Sequence, residues 1–118
     1  MSKYANSGEL RTPVRFVRVE RVTDEDGYPA EREVNVFGEG AAVNVKWVNA
    51  HGNEAYELMQ LRLREPATLT MRYSPLIGRT LLVYREGDPE PYEIVSVDNV
   101  RERGKWLEIK VQRREEAR

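Results

Sequence analysis

Cysteine is absent from this 118-residue chain, which excludes a disulfide frame, a thiolate metal site and a thiol nucleophile. Packing alone must hold the fold. Histidine occurs once, at His51, so neither a multi-histidine metal site nor a thiolate–histidine pair can be built within one chain. No uncharged apolar run approaches the roughly 18 residues of a membrane span. The start, MSKYANSGELRT, has no apolar stretch of signal-peptide length. A soluble protein made in the cytoplasm, without a membrane partner, is expected. An excess of one charge is lacking too: 19 Lys and Arg against 20 Asp and Glu leave a formal net charge of -1. That balance argues against a surface that embraces nucleic acid throughout. Ser7, Ser74 and Ser96 stand in no nucleophile-elbow setting, and Gly38 and Gly40 followed by Ala41 and Ala42 fit neither the phosphate-loop nor the dinucleotide pattern. No catalytic, cofactor-binding or metal-ligating residue is singled out, and a protein that is not an enzyme and carries no cofactor is expected.

What the chain does contain is alternation. One domain over 1–118 is expected, because two would leave each half too small for a core without disulfides or metal. Residues 1–10 and 114–118 read as flexible ends. After Pro13 the run VRFVRVERV predicts a strand over about 14–22, with Val14 and Phe16 on one face and Val17 and Val19 on the other. TDEDGYP predicts a hairpin turn with Gly27 at positive φ, and REVNVF a second strand ending at Phe37. GEG breaks the chain before AAVNVKWV, where Val43, Val45 and Trp47 alternate with Asn44 and Lys46. Asn53 as a cap, and Ala55, Leu58, Met59 and Arg62 at helical spacing, predict one short helix at about 53–64. TLTMRY, RTLLVY, YEIVSV and WLEIKVQ read as further strands. Six to seven antiparallel strands with one inserted helix imply a mainly β fold, a small barrel or sandwich.

Two features invite a functional reading. Residues 1–23 carry Arg15, Arg18 and Arg21 among five basic groups, whereas 24–40 carry Asp24, Glu25 and Asp26 among six acids. Displayed on different sides, such blocks would let copies of the chain attract one another. The second feature is YREGDPEPYEIVSV at 84–97, in which Glu86, Asp88 and Glu90 have the spacing of alternate calcium ligands. Val97 stands where such a loop needs its bidentate Glu, so a solvated hairpin tip whose prolines resist pairing is expected instead. A nucleic-acid platform could draw on Tyr73, Tyr84, Tyr92 and Trp106 with Arg72, Arg79, Arg101, Arg103 and Lys105. The same aromatics alternate as core positions do.

Taken in order, GELR (8–11), DEDG, AAVNVKW, GNEAYELM, TLTMRY, LLVYREGDPEPYEIVSV and LEIKV resemble the head-tail adaptor or head-closure (stopper) proteins of tailed bacteriophages over about residues 8–113. The residue types of the family pattern V-x-Y-x-G-x-x-Y-x-I-x-x-V are supplied by Val83, Tyr84, Gly87, Tyr92, Ile94 and Val97, with DPEP as extra loop residues and strict spacing kept over Tyr92, Ile94 and Val97. The resemblance implies a structural protein of the virion neck, assembled as a ring of twelve beside portal-adaptor and tail proteins. The ring would close the portal channel on packaged double-stranded DNA, which passes through without sequence readout. Whether the isolated chain is a monomer or a ring stays open. The loop Gly38, Glu39, Gly40, Ala41 and Ala42 is the candidate for channel or subunit contact, its small residues allowing close packing; Arg15, Arg18, Arg21, Asp24, Glu25 and Asp26 are the candidates for ring contacts. A small nucleic-acid-binding barrel and a tail-completion protein of the same neck are the alternatives.

Overall fold

The computed structural model describes residues 7–50 and 64–114. Seven strands follow one another: β1 (Thr12–Thr23), β2 (Pro29–Asn35), β3 (Val43–Asn49), β4 (Ala67–Arg72), β5 (Leu82–Arg85), β6 (Tyr92–Asn99) and β7 (Trp106–Arg113). The helix expected at about 53–64 lies, but for its last residue, outside the described residues, as do His51 and most of the two ends expected to be flexible. Ser7–Glu9 form a single 3-10 turn.

The sheet runs β2-β1-β3-β4-β7-β6-β5, and β5 pairs back onto β1. Six strands therefore close an antiparallel barrel, and β2 is an extra strand outside it. Closure rests on Val14 to Val17 opposite Arg85 to Leu82, a pairing between distant segments that local alternation cannot reveal. It decides between the two expected architectures in favour of the barrel.

The interior is filled by alternating apolar residues. Val14, Phe16, Val45, Leu69, Val83, Ile109 and Val111 are all buried to within 1%. Val14 and Phe16 share one face, which turns inward; on the other face Val17 is also buried, opposite Leu82, whereas Val19 is exposed. Phe37 packs edge-on against Phe16 at 6.0 Å between ring centroids.

β1 serves two structures. Its first half belongs to the barrel, pairing with β3 on one edge and β5 on the other. Val17 pairs with both β5 and β2, and the second half, from Arg18 to Thr23, pairs only with β2. The β1–β2 hairpin is thus a two-stranded arm that leaves the barrel wall. Among the described residues β2 has no strand on its outer edge, and beyond Val17 β1 has none on its other edge. β6 carries a bulge between Ile94 and Ser96. A regular strand would turn Ile94 and Val97, three apart, to opposite faces; the extra residue lets Ile94 lie in the core and Val97 pack against it.

Candidate functional site

Arg15, Arg18 and the loop at 38–42 come together around the root of the arm, whereas Arg21, Asp24, Glu25 and Asp26 lie out along it and at its tip. Arg15 lies beside two surface grooves of about 710 and 470 Å³. The larger is walled by arm residues such as Arg18, Glu20 and Arg32 together with Glu39 and Gly40. The smaller lies between Gly40 and Ala42 on one side and Glu86 to Pro89 on the other. The structure therefore brings the GEGAA loop and the acidic loop, distant in sequence, to the same place.

Tyr84 joins the arm to the barrel. Its hydroxyl donates to Glu33 Oε2 at 2.5 Å, and the Arg15 guanidinium lies over its ring, 4.9 Å from the centroid. Burial, and then the hydrogen bond to Glu33 and that residue's negative charge, push the Tyr84 phenol up to about 12. The phenol stays protonated and donating throughout the physiological range.

The two charge blocks do not lie on separate sides of the molecule. The hairpin folds one onto the other, placing Arg18 opposite Val34, Glu20 opposite Arg32 and Arg21 opposite Glu31. Glu20 accepts from Arg32 and from Arg18, each at 2.9 Å, and these two guanidinium groups hold its carboxyl below the ordinary value. Charge along the arm is largely neutralised within it. The acidic excess survives at the tip, where Asp24, Glu25 and Asp26 are exposed. Asp24 shapes that tip by accepting from the Asp26 and Tyr28 amides at 2.9 and 2.8 Å, and Gly27 takes φ +84° there.

Gly38 and Gly40 adopt φ +112° and +73°, yet a Cβ on either would meet nothing within 4 Å. Backbone conformation accounts for both glycines within the chain.

The acidic loop differs from the solvated tip that was expected. Asp88 receives Arg113 Nη1 at 2.8 Å and the Glu90 amide at 3.0 Å. Arg113 also reaches Glu65 at 3.1 Å and stacks over Tyr92 at 4.2 Å. Tyr92 meets Trp47 edge-on at 4.9 Å, and Arg85 covers the other ring of that pair at 4.8 Å. The loop is clamped onto a stack of alternating arginine and aromatic side chains; Glu86 and Glu90 remain exposed. Among the described residues no group of three His, Cys, Asp or Glu side chains is placed to hold a metal ion.

The residues of the family pattern divide by role. Val83, Tyr92 and Ile94 are core, Val97 packs against it, Gly87 turns the loop at φ +82°, and Tyr84 tethers the arm. Residues 5–115 match the phage head completion protein family. The chain belongs to that family. The fold is shared with the solution structure of protein SF1141 from Shigella flexneri 2a, at a TM-score of 0.66 and 19% identity, over 96% of this chain and 100% of that one. No curated protein matches the chain. As a head completion protein it has a structural part in finishing the phage head, a place in the virion, and other phage head and tail proteins as partners. No helix among the described residues is long and apolar enough to cross a membrane.

Sequence reasoning missed Arg113 and Glu33. Arg113 sits in the last alternating strand, where VQRR offered no distinguishing signal. Glu33 was one acid among many until β2 carried it to Tyr84.

Proposed function

We propose that this head completion protein is a ring subunit of the phage neck that joins head to tail and closes the portal channel on packaged DNA. The observation that carries this reading is the division of one strand between a closed barrel and an arm with both edges open. Closure of a sheet hides its edges, whereas open edges and exposed faces are what copies of a chain use to pair. A barrel with one arm has a different surface on each side, which suits the heterologous contacts of a ring. The ring of twelve, contacts through Arg15, Arg18, Arg21 and the tip acids, the GEGAA loop at the channel, and the passage of double-stranded DNA belong to this proposal.

The nucleic-acid platform finds less support. Tyr92 is buried and lies with Tyr84 at one end of the barrel, while Tyr73 and Trp106 lie at the other, so no continuous row of aromatic faces forms. Electron microscopy of particles made without this protein tests the neck reading. Heads that have lost their DNA and carry no tails are expected; full, tailed particles would overturn it.

A further inference from the structure

The end of the barrel from which the arm departs also carries the 73–81 and 100–105 loops, because β1 runs toward the same end as β4 and β6. These two loops are basic: Arg79, Arg101, Arg103 and Lys105 stand in them with Glu102 as the sole acid. Arg72, just before the first loop, lies over the Trp106 ring at 5.6 Å. None of these five cations makes an ion pair among the described residues. Tyr73 and Leu76 are 42% and 52% exposed beside them. The second loop is held in a costly shape, with Arg101 and Glu102 at φ 56° and 54°, pinned by the Gly104 amide donating to Asn99 Oδ1 at 3.0 Å.

The arm tip is the counterpart in charge and character. Glu25 and Asp26 make no ion pair among the described residues, and Tyr28 beside them is 67% exposed. Strand order places the two surfaces on opposite walls. From β1, the base of the arm, β7 is the third strand away in either direction around the barrel, and the 100–105 loop leads directly into β7.

We infer that the acidic, tyrosine-bearing tip of the arm docks on the basic end, at Arg101, Arg103, Lys105, Tyr73 and Leu76, of a second copy of this chain. The contact joins two different surfaces on opposite walls, the heterologous kind that closes into a ring when the rotation between copies closes. It rests on the ring reading above and specifies which surfaces meet. Charges at such a contact fix register and partner.

The chain's lack of cysteine gives a clean test. Two single-cysteine chains, Asp26→Cys and Arg103→Cys, of which one carries a size tag, are mixed and treated with a short bis-maleimide. The mixing is done on the isolated chain at high concentration and in particles assembled from both. Mixed in equal amounts, the chains should give heterodimers well beyond the twofold excess over either homodimer that random pairing alone produces. Adding Glu25→Lys to the first chain should lower their yield by about tenfold, since facing like charges cost at least about 1.4 kcal/mol. Adding Lys105→Glu to the second chain should then restore it. Heterodimers at no more than twice either homodimer, or a yield indifferent to Glu25→Lys, would overturn the docking. Protection of the Arg103→Cys thiol by a DNA duplex, without heterodimers, would reassign the basic end to DNA and equally refute it. DNA retention by the same particles is scored separately, so a chain that closes heads without this cross-link refutes the docking and spares the neck reading.

Discussion

Replacing Tyr84 by phenylalanine removes one oxygen and leaves the ring under Arg15, so it isolates the tether between arm and barrel. The bond lost runs from a half-buried phenol to a carboxylate at 2.5 Å. Hydrogen bonds to charged groups contribute about 1.5–3 kcal/mol, and the exposure of Glu33 puts this one at the lower end. A loss of about 1.5 kcal/mol in a chain of this length lowers Tm by about 6 °C. Thermal unfolding of Tyr84→Phe, Glu33→Gln and the double variant should show strong non-additivity, the second change costing little once the first is made. The alkaline limb gives a second reading. A phenol at 10 unfolded and about 12 folded keeps its proton in the fold after the unfolded chain has released it. Its contribution is present below pH 10 and is lost as pH rises toward 12. The stability gap between wild type and Tyr84→Phe should therefore narrow in that window. Additive single changes, or a gap that stays constant, would refute the idea that this pair holds the arm.

Asp88→Asn should cost about 1–2 kcal/mol by chemical denaturation, because it leaves Arg113, a side chain only 14% exposed, without its shortest ion pair. Arg113 first, and then the Glu90 amide, hold the Asp88 carboxyl below its ordinary 3.8. The stabilisation is thus present above about pH 4 and lost as pH falls through the depressed value, so variant and wild type should converge in acid. Deleting Val95 removes the bulge and should turn Val97 out of the core or shift β6 against β7; loss of a cooperative transition is expected, and unchanged stability would show that the bulge sets no register. Proline at Gly38 and Gly40 cannot take φ +112° and +73°, so the loop must be remade. Particles with both changes should assemble and leak DNA, and full retention would remove this loop from the channel.

Most of the barrel was legible because its strands keep strict alternation. TLTMRY and WLEIKVQ became β4 and β7 nearly as read, since every second residue is apolar and the neighbours on both sides are other strands. The less regular boundaries have local causes. RTLLVY begins pairing only at Leu82, as the Leu81 amide is committed to the Gly78 carbonyl in a turn. The second strand starts earlier than REVNVF, at Pro29, where the tight Asp24–Tyr28 turn releases the chain directly into pairing with Thr23. The site was less legible than the fold. Tyr84 and Gly87 stand out through a resemblance to a family pattern, but their partners do not. Tyr84 meets a residue 51 positions away and Asp88 one 25 away, and neither separation has a period that a local reading can detect.

The pattern I-x-x-V shows how spacing and structure explain one another. In an uninterrupted strand it would bury Ile94 and expose Val97. The bulge at β6 turns both toward the core and bends the strand where the barrel must curve. The same strand begins with Tyr92, whose ring is stacked beneath Arg113 and beside Trp47, so the clamp on the acidic loop and the curvature of the wall are set within six residues. Rigidity is thereby concentrated at the root of the loop and the barrel wall. The arm, by contrast, is fixed to the barrel through β1 and the Tyr84 hydrogen bond, and its side-chain ion pairs among the described residues, Arg18 and Arg32 with Glu20, are internal. In the ring proposed above, a wedge of this kind would hold a constant shape while its arm adjusts to the next copy. That division of labour requires the barrel to unfold as one unit and the arm to open below the global transition. Hydrogen exchange should accordingly find the β1–β2 amides beyond Val17 exchanging faster than those of β4 and β7 in the isolated chain, and equal protection of the two would argue that the arm is as rigid as the wall.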